Sequence, residues 1–292
     1  MKAVTEANPY IDRFHYYEDD FSSIAATLKQ ENFDYVIDLH KNFRTYRLRL
    51  HIKAKWFAYR KETVGKFLLT NFRINKMSGR GITQRAMDTI KPLGVKDDGR
   101  GPDYFIPAGE KVQEHDLPAS HLAGYVAIVI GASYFTKKLP VAKLIELCKS
   151  IPFPIMLLGG KEDAAEGAEI AAFDNIKVYN SCGKFSLNES ADLVRRSLMV
   201  ISHDTGLAHI AAAFNKKVLS IWGGTVPELG FAPYYGSENL NPPQLNFVVP
   251  GLPCQPCSNF GKKQCPKGHF KCMNNQDMQL ISDTVVRYLK KK

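Results

Sequence analysis

The sequence has no apolar run approaching the roughly 18 to 20 residues needed to span a bilayer. Its opening, MKAVTEANPYIDRFHYYEDD, contains no apolar core of the kind found in secretory signals. Glycine and proline are not abundant, with 21 and 16 among 292 residues, which excludes collagen-like and low-complexity chains. We therefore expect a globular cytoplasmic protein whose six cysteines serve as thiols or metal ligands rather than disulfides.

Two nucleotide-binding motifs are also missing. The absence of G-x-G-x-x-G and G-x-x-x-x-G-K-[ST] disfavours Rossmann dehydrogenases and P-loop kinases. What the chain has in excess is positive charge, with a formal net charge of +10 and an isoelectric point near 9.2. This excess indicates an anionic partner, which leaves nucleic acid, an anionic membrane face and a phosphorylated small molecule open. A basic surface that serves only solubility is the alternative.

Short apolar runs alternate with helical patterns, which predicts an α/β fold with parallel, doubly wound sheets. We expect an N-terminal domain over residues 1–115 and a C-terminal domain over 116–292, with a cysteine-rich insertion at 251–274. Strands are predicted at 33–40, 54–60, 124–133, 153–160, 176–180, 198–202 and 217–222. Helices are predicted at 61–72, 83–93, 140–150, 162–173, 186–197, 207–214 and 277–290, with a long irregular region before the last.

The beginning of the chain departs from this pattern. A doubly wound domain normally begins with a βα unit, but these first residues read as the tail of a helix. We therefore expect the N-terminal domain to lack its first strand and the loop that follows it.

The stretch LMVISHDTGLAHIAAAF, residues 198–214, joins a strand to a helix through the turn His-Asp-Thr-Gly. Ligands of open α/β sheets bind outside the carboxyl ends of the strands, where this turn lies. Asp204 or Thr205 is expected to cap the helix, and Gly206 lets a ligand approach the backbone. The free amides and dipole of the helix suit a phosphate, and His209 lies close enough to contact it.

SHDTGLAHIAAAFNKKVLSIWGGTVPELGFAPYYG resembles the Asp-Thr-Gly-x-x-His-x-Ala-Ala-Ala signature of glycosyltransferase family 9. GASYFTKKLP, LLGGKEDAAEG and FDYVIDLHKNFRTYRL resemble further segments of that family. These are the heptosyltransferases of lipopolysaccharide core assembly and their relatives. The resemblance implies a GT-B fold of two Rossmann-like domains, with the donor in the C-terminal domain and the acceptor in the N-terminal one. The resemblance further implies that the donor is a nucleotide-diphospho-sugar, typically ADP-heptose.

The resemblance also implies roles for single residues. Lys137 is expected to neutralise the diphosphate and help the nucleotide leave, although a solvated lysine beside Lys138 is the alternative. Glu162 is expected to hold the ribose, although it lies one position nearer the preceding glycines than the family spacing expects. The expected donor-binding set is Ser133, Lys137, Glu162, Asp204, Thr205, Gly206, Leu207 and His209. No catalytic divalent metal is implied, so fixed cations and helix dipoles must stabilise the leaving group.

On the acceptor side, Lys41, Arg44 and Arg47 recur at helical spacing in a basic segment. Arginine suits bidentate phosphate contacts, and the acceptors of the family are phosphorylated glycolipids. A solvated helix face is the alternative. Such an acceptor implies peripheral contact with the inner membrane.

Inverting transfer needs a general base, which in the family is an aspartate in the loop after the first strand. This sequence has no counterpart, so an inactive nucleotide-sugar binder is one alternative to an active transferase. A basic, zinc-containing nucleic-acid-binding protein is another, although no recognition motif for nucleic acid is present.

Four cysteines form a C-x2-C-x7-C-x6-C pattern at Cys254, Cys257, Cys265 and Cys272. Four thiolates at such spacing predict a tetrahedral structural zinc site that would brace the region before the last helix. Unligated thiols in a surface loop are the alternative.

Overall fold

The computed structural model describes residues 2–239 and 243–290. Its N-terminal part contains a parallel pair of strands with Tyr35 opposite Lys55 and Asp38 opposite Ala58. The elements of this part are α1 (Lys2–Thr5), α2 (Phe21–Gln30), β1 (Tyr35–Asp38), α3 (Phe43–Arg49), β2 (Lys55–Ala58), α4 (Thr63–Phe72) and α5 (Ile82–Asp88).

The C-terminal part is built on a six-stranded parallel sheet. Its elements are α6 (Ala119–Leu122), β3 (Val126–Val129), α7 (Val141–Ser150), β4 (Ile155–Leu158), α8 (Ala164–Ala171), β5 (Val178–Asn180), α9 (Leu187–Arg196), β6 (Met199–His203), α10 (Gly206–Ala213), β7 (Val218–Trp222), β8 (Gln244–Val248), α11 (Lys271–Asn274) and α12 (Met278–Leu289). The strand order is β5-β4-β3-β6-β7-β8. The chain therefore moves outward in one direction from β3 and in the other from β6, which makes β3/β6 the switch point where such sheets bind ligands.

Helices cover both faces of this sheet. Leu144 of α7 and Ile281 of α12 pack on one face, and Leu193 of α9 and Ala211 of α10 pack on the other. Strands β3, β4 and β6 are consequently buried along their whole length. This explains why they read as continuous apolar runs rather than alternating ones.

The passage formed by residues 97–121, between α5 and β3, lies against helix α9. The Tyr104 hydroxyl donates to Asn188 Oδ1 at 2.6 Å, and the Val112 amide donates to Asp192 Oδ2 at 3.1 Å. These contacts hold the passage on the C-terminal sheet unit, while the boundary at 115/116 stays a prediction.

Several expectations about local structure are confirmed. Ser186 and Glu189 form the reciprocal cap of α9 that their spacing predicts, with Glu189 N donating to Ser186 Oγ at 3.2 Å. Helix α12 begins after Asp277, whose side chain accepts from Leu280 N at 2.9 Å. Within the described residues, no helix is both long and apolar enough to span a bilayer.

Other boundaries differ. The helix predicted at 83–93 is a short α5 followed by a separate 3-10 turn at Lys91–Leu93, because Pro92 cannot donate to a continuous helix. Pro140 precedes α7 as its N-cap instead of lying in its first turn. Helix α2 and strand β8 were not predicted; β8 lies in the region expected to be irregular and pairs with β7.

Candidate functional site

A cavity of about 400 Å³ lies at the carboxyl ends of β3, β4 and β6. The turns after these strands and the start of α9 form its wall. Its lining residues include Gly131, Ala132, Ser133, Gly159, Gly160, Glu162, Asp163, Phe185, Leu187, Ser190, Asp204, Thr205, Gly206 and Leu207. Six residues predicted for the donor site lie in this lining: Ser133, Glu162, Asp204, Thr205, Gly206 and Leu207.

Lys137 and Asp204 form an ion pair at the edge of this cavity. Lys137 lies on the short 3-10 helix Phe135–Lys137, and its Nζ is 2.7 Å from Asp204 Oδ2 and 3.3 Å from the Asp204 carbonyl oxygen. The two side chains are only 13% and 7% exposed. Lys137 is therefore not the solvated lysine of the alternative interpretation.

Its neighbour Lys138 is engaged elsewhere. Lys138 Nζ lies 2.8 Å from Asp163 Oδ1 and 2.7 Å from Glu166 Oε2. Asp163 in turn accepts from the Gly160 amide at 2.9 Å and packs against Gly131. This second pair ties the turn after β4 to the turn after β3, whereas Lys137 ties the turn after β3 to the turn after β6.

The N-terminus of α10 carries no side-chain cap. Thr205 occupies the N-cap position, but its hydroxyl lies 3.0 Å from Ser202 Oγ, and Asp204 is committed to Lys137. Thr205 thus takes one of the two expected N-cap positions, but neither its side chain nor that of Asp204 forms the capping hydrogen bond. A Cβ added at Gly206 would meet nothing within 4 Å. The first-turn amides of α10 thus face open space beside an ammonium group, an arrangement that suits an anion.

Two histidines lie near the Lys137–Asp204 pair and the start of α10. Burial lowers the pKa of His209, Asp204 acts in the opposite direction, and Lys137 lowers the pKa further. His203 is fully buried, and burial lowers its pKa to about 4. Its Nε2 accepts from the Leu139 amide at 3.0 Å, which fixes the segment carrying Lys137 beside β6.

Glu162 lies on the short 3-10 helix Lys161–Asp163 and folds back over Gly160. A Cβ at Gly160 would overlap the Glu162 carboxylate, so only glycine permits this approach. Its predicted role toward a ribose, like the roles of the other donor-site residues, stays a prediction.

The sequence profile of Glycosyltransferase family 9 (heptosyltransferase) matches residues 21–270. The chain belongs to this family. It is 35% identical over 91 residues to lipooligosaccharide heptosyltransferase 2 of Haemophilus influenzae, covering 30% of this chain and 26% of that protein. It is 25% identical over 158 residues to lipopolysaccharide heptosyltransferase 2 of Escherichia coli K12, covering 51% and 44%. The matches thus span about a quarter to a half of these relatives.

Solved structures support the same fold. The family 9 glycosyltransferase of Veillonella parvula superposes with a TM-score of 0.75 at 18% identity, over 100% of this chain and 86% of that one. The E. coli heptosyltransferase WaaC with ADP gives a TM-score of 0.58 at 18% identity, over 93% and 76%. The predicted GT-B α/β fold class is confirmed.

Sequence reasoning missed part of this family 9 site. Phe185, Leu187 and Ser190 form one wall of the cavity, and Thr225 contacts Asp204 from the turn after β7. No local motif marks the first three, since they enter the site only through the packing of α9. Thr225 lies within the segment that resembles the family signature, but its partner depends on β6 and β7 being neighbours.

On the acceptor side, the helical face predicted for Lys41, Arg44 and Arg47 is only partly present. Lys41 lies outside α3 with a φ of +46°, so the first of the three is wrongly placed on the helix. The Arg44 guanidinium stacks over Tyr17 at 4.0 Å, and that of Arg47 stacks over Phe21 at 3.7 Å. Both arginines thus hold the N-terminal segment against α3.

A different set of cations lines a cavity of about 360 Å³ beside β2 and α5: Arg60, Lys76, Arg80 and Arg85. Its carboxylates are already paired. Glu62 lies 2.7 Å from the buried Arg85, and Asp88 lies 2.7 Å from Arg80. In the described part of the chain, Arg60 and Lys76 form no ion pair, so the cavity keeps a net positive charge.

The four cysteines of the predicted zinc site line one small cavity of about 20 Å³ together with His269. Cys254 Sγ lies 3.9 Å from His269 Nε2. Burial raises the pKa of Cys272 to about 12, and the other three thiols add to the shift. As the described side chains stand, no group of three or more is arranged to hold a metal ion. The four thiols line one cavity without the arrangement of a metal site, and the zinc stays a prediction.

The buried His203 predicts a pH dependence of stability. Its pKa of about 4 lies below the value near 6.5 of an unfolded histidine, so the unfolded chain binds a proton that the folded one does not. The unfolding free energy should therefore fall by about 1 kcal/mol per pH unit between about pH 6 and pH 4 from this residue alone, and should not fall further from it at lower pH. Urea unfolding at several pH values measures the slope. His203→Gln should flatten it, and His115→Gln at an exposed position should not; equal slopes for both variants would refute the assignment.

Proposed function

We propose that this family 9 chain transfers a sugar, heptose, from ADP-heptose to a lipopolysaccharide-core acceptor with inversion. The observation that carries the proposal is the Lys137–Asp204 pair beside the uncapped N-terminus of α10, at the switch point of the sheet. A diphosphate placed there meets one ammonium group and several backbone amides. The identities of donor and acceptor follow the reported relatives, which are heptosyltransferases, and these relatives give no support to a nucleic-acid-binding function.

The chemistry follows from this placement. An acceptor hydroxyl attacks the anomeric carbon and loses its proton to a general base. The bond from that carbon to the diphosphate oxygen breaks, and negative charge builds up on the leaving nucleotide. Fixed cations and helix amides stabilise that charge without reorganising, and in many enzymes such stabilisation accounts for most of the rate enhancement. Lys137 and α10 supply both. Asp204 and Asp38 are unsuited to be the base, since Asp204 is paired with Lys137 and Asp38 accepts from the His40 and Lys41 amides.

The basic cavity beside β2 is the site we propose for a phosphate of the acceptor. Arg60 and Lys76 supply its uncompensated charge above the buried Arg85. The Ile82 amide at the start of α5 donates to the Gly230 carbonyl at 2.8 Å, which joins this part of the chain to the segment that follows β7. A cytoplasmic location and peripheral membrane contact stay predictions of the sequence.

Replacing Lys137 with alanine tests donor binding. Loss of a charge-assisted contact should weaken ADP binding by roughly tenfold to a hundredfold, measured by calorimetry. Lys149→Ala, on the exposed side of α7, is the matched control and should bind ADP like the unmodified protein. ADP release from ADP-heptose in the presence of heptose-free lipopolysaccharide then measures transfer. Binding without transfer would favour the inactive binder, and an oligonucleotide that stabilises the protein where ADP does not would overturn the proposal.

The acceptor site is tested by two sets of variants. Arg60→Ala combined with Lys76→Ala should raise the KM for the acceptor about tenfold while leaving ADP affinity unchanged, because two phosphate contacts are lost. Arg44→Ala combined with Arg47→Ala is the comparison, since these residues were predicted from the sequence to bind the acceptor. A raised acceptor KM in the second pair alone would show that the basic helix, not the cavity, holds the phosphate.

We further propose that Cys254, Cys257, Cys265 and Cys272 hold one structural zinc ion. The single cavity that all four thiols line supports this proposal. Native mass spectrometry should find zinc in the isolated protein and lose it in Cys257→Ser but not in Cys148→Ser, which changes a buried thiol of α7. A metal-free native protein whose four clustered thiols all react freely with a thiol reagent would refute the site.

A further inference from the structure

The Asp204 carboxylate has a second partner besides Lys137. Thr225 Oγ1 donates to Asp204 Oδ2 at 3.0 Å, the same oxygen that lies 2.7 Å from Lys137 Nζ. Thr225 is fully buried, at 0% exposure. One carboxylate oxygen is thereby fixed between an ammonium group and a hydroxyl that come from the turns after two different strands, β3 and β7.

This contact bears on the position of the ammonium group. Lys137 touches Asp204 twice, through Oδ2 and, at 3.3 Å, through the main-chain carbonyl. A carboxylate held by only one partner can rotate about its side-chain torsion and take a flexible lysine with it. Thr225 removes that freedom, so the lysine stays beside the first turn of α10.

Thr225 is itself held from two sides. On one side, the Gly224 amide donates to the Thr136 carbonyl at 2.7 Å, and Thr136 is the residue before Lys137. On the other side, Gln255 of the cysteine-rich insertion donates through Nε2 to the Gly223 carbonyl at 2.6 Å and to the Thr225 carbonyl at 3.3 Å.

The insertion makes three further hydrogen bonds with the same turns, one of which the Thr136 amide donates to the Lys262 carbonyl at 3.1 Å. The Cys257 amide donates to the Gly224 carbonyl at 3.0 Å. The Lys262 amide donates to Thr136 Oγ1 at 2.7 Å. A Cβ at Gly224 would lie 2.7 Å from Thr136 Oγ1 and 3.1 Å from Cys257 Sγ, so the three segments meet too closely for any other residue. The insertion thus packs against the turn after β3, which carries Lys137, and the turn after β7, which carries Thr225.

We propose that Thr225 is a positioning residue for the Lys137–Asp204 pair, and that Gln255 of the cysteine-rich insertion holds Thr225 in place. The inference rests on the proposed donor site and deepens it. It assigns the insertion a role in donor binding through hydrogen bonds, whether or not its cysteines hold a metal.

Thr225→Val keeps the shape of the side chain and removes the donor. It should weaken ADP binding roughly tenfold, as expected for one hydrogen bond to a charged group. Thr225→Ser restores the hydroxyl and should recover ADP affinity to within about twofold. A purely structural role predicts the opposite order, since serine loses the buried methyl group that valine retains. Equal ADP affinity in Val and Ser variants would overturn the proposal.

Gln255→Met tests the insertion, with Gln279→Met on the exposed side of α12 as its control. Gln255→Met should lower ADP affinity, as Thr225→Val does, and Gln279→Met should leave ADP affinity unchanged. An unaltered affinity in Gln255→Met would refute the role of the insertion.

A second measurement does not depend on nucleotide binding. The rate of reductive methylation of Lys137, followed by mass spectrometry relative to Lys149, reports how firmly the pair is held. Thr225→Val should raise this ratio and Thr225→Ser should not. If no variant or parent binds ADP but the ratio still rises, the proposed function fails while the positioning inference holds. An unchanged ratio overturns the inference.

Discussion

The site depends on an ion pair between Lys137 and Asp204, 2.7 Å apart and almost entirely buried. Taking two charges out of water costs free energy that their attraction seldom repays, so such a pair is weak evidence of a contribution to folding stability. The position of the pair indicates a role in the site instead. The pair lies where the amides of α10 are uncapped and where the strand order of the sheet reverses, and its Asp204 lines a cavity of about 400 Å³.

The sheet explains how distant residues reach this point. Lys137 follows β3, Asp204 follows β6 and Thr225 follows β7, and these three strands are consecutive neighbours with the same direction. Their carboxyl ends therefore meet at one edge, although the residues are far apart in the chain. His203 adds a further tie, since its ring accepts from the Leu139 amide and joins the first two turns from within the core. The cysteine-rich insertion contacts the turns after β3 and β7.

The C-terminal unit was predictable from the sequence because its signals are local. Buried strands read as apolar runs, the Ser186–Glu189 cap has a fixed spacing, and the Asp-Thr-Gly turn marks one strand end directly. Partnerships across the sheet were not predictable in this way. No local sequence pattern predicts that Thr225 contacts Asp204 or that Phe185 lines the cavity. On the acceptor side, helical spacing suggested one basic face, which is only partly present because Lys41 adopts a left-handed backbone and the arginines stack on Tyr17 and Phe21. Acceptor binding by these three residues stays a prediction.

Lys137 and the first turn of α10 are the groups that we propose to grip the diphosphate of a sugar nucleotide. A crystal structure of the protein with ADP would show directly whether the diphosphate contacts these groups. We expect the terminal phosphate to lie within hydrogen-bonding distance of Lys137 Nζ and of the amides at Gly206 and Leu207, with Asp204 still bonded to Thr225. Nucleotide bound elsewhere, or phosphate oxygens beyond the reach of Lys137 and of α10, would show that the proposal is wrong.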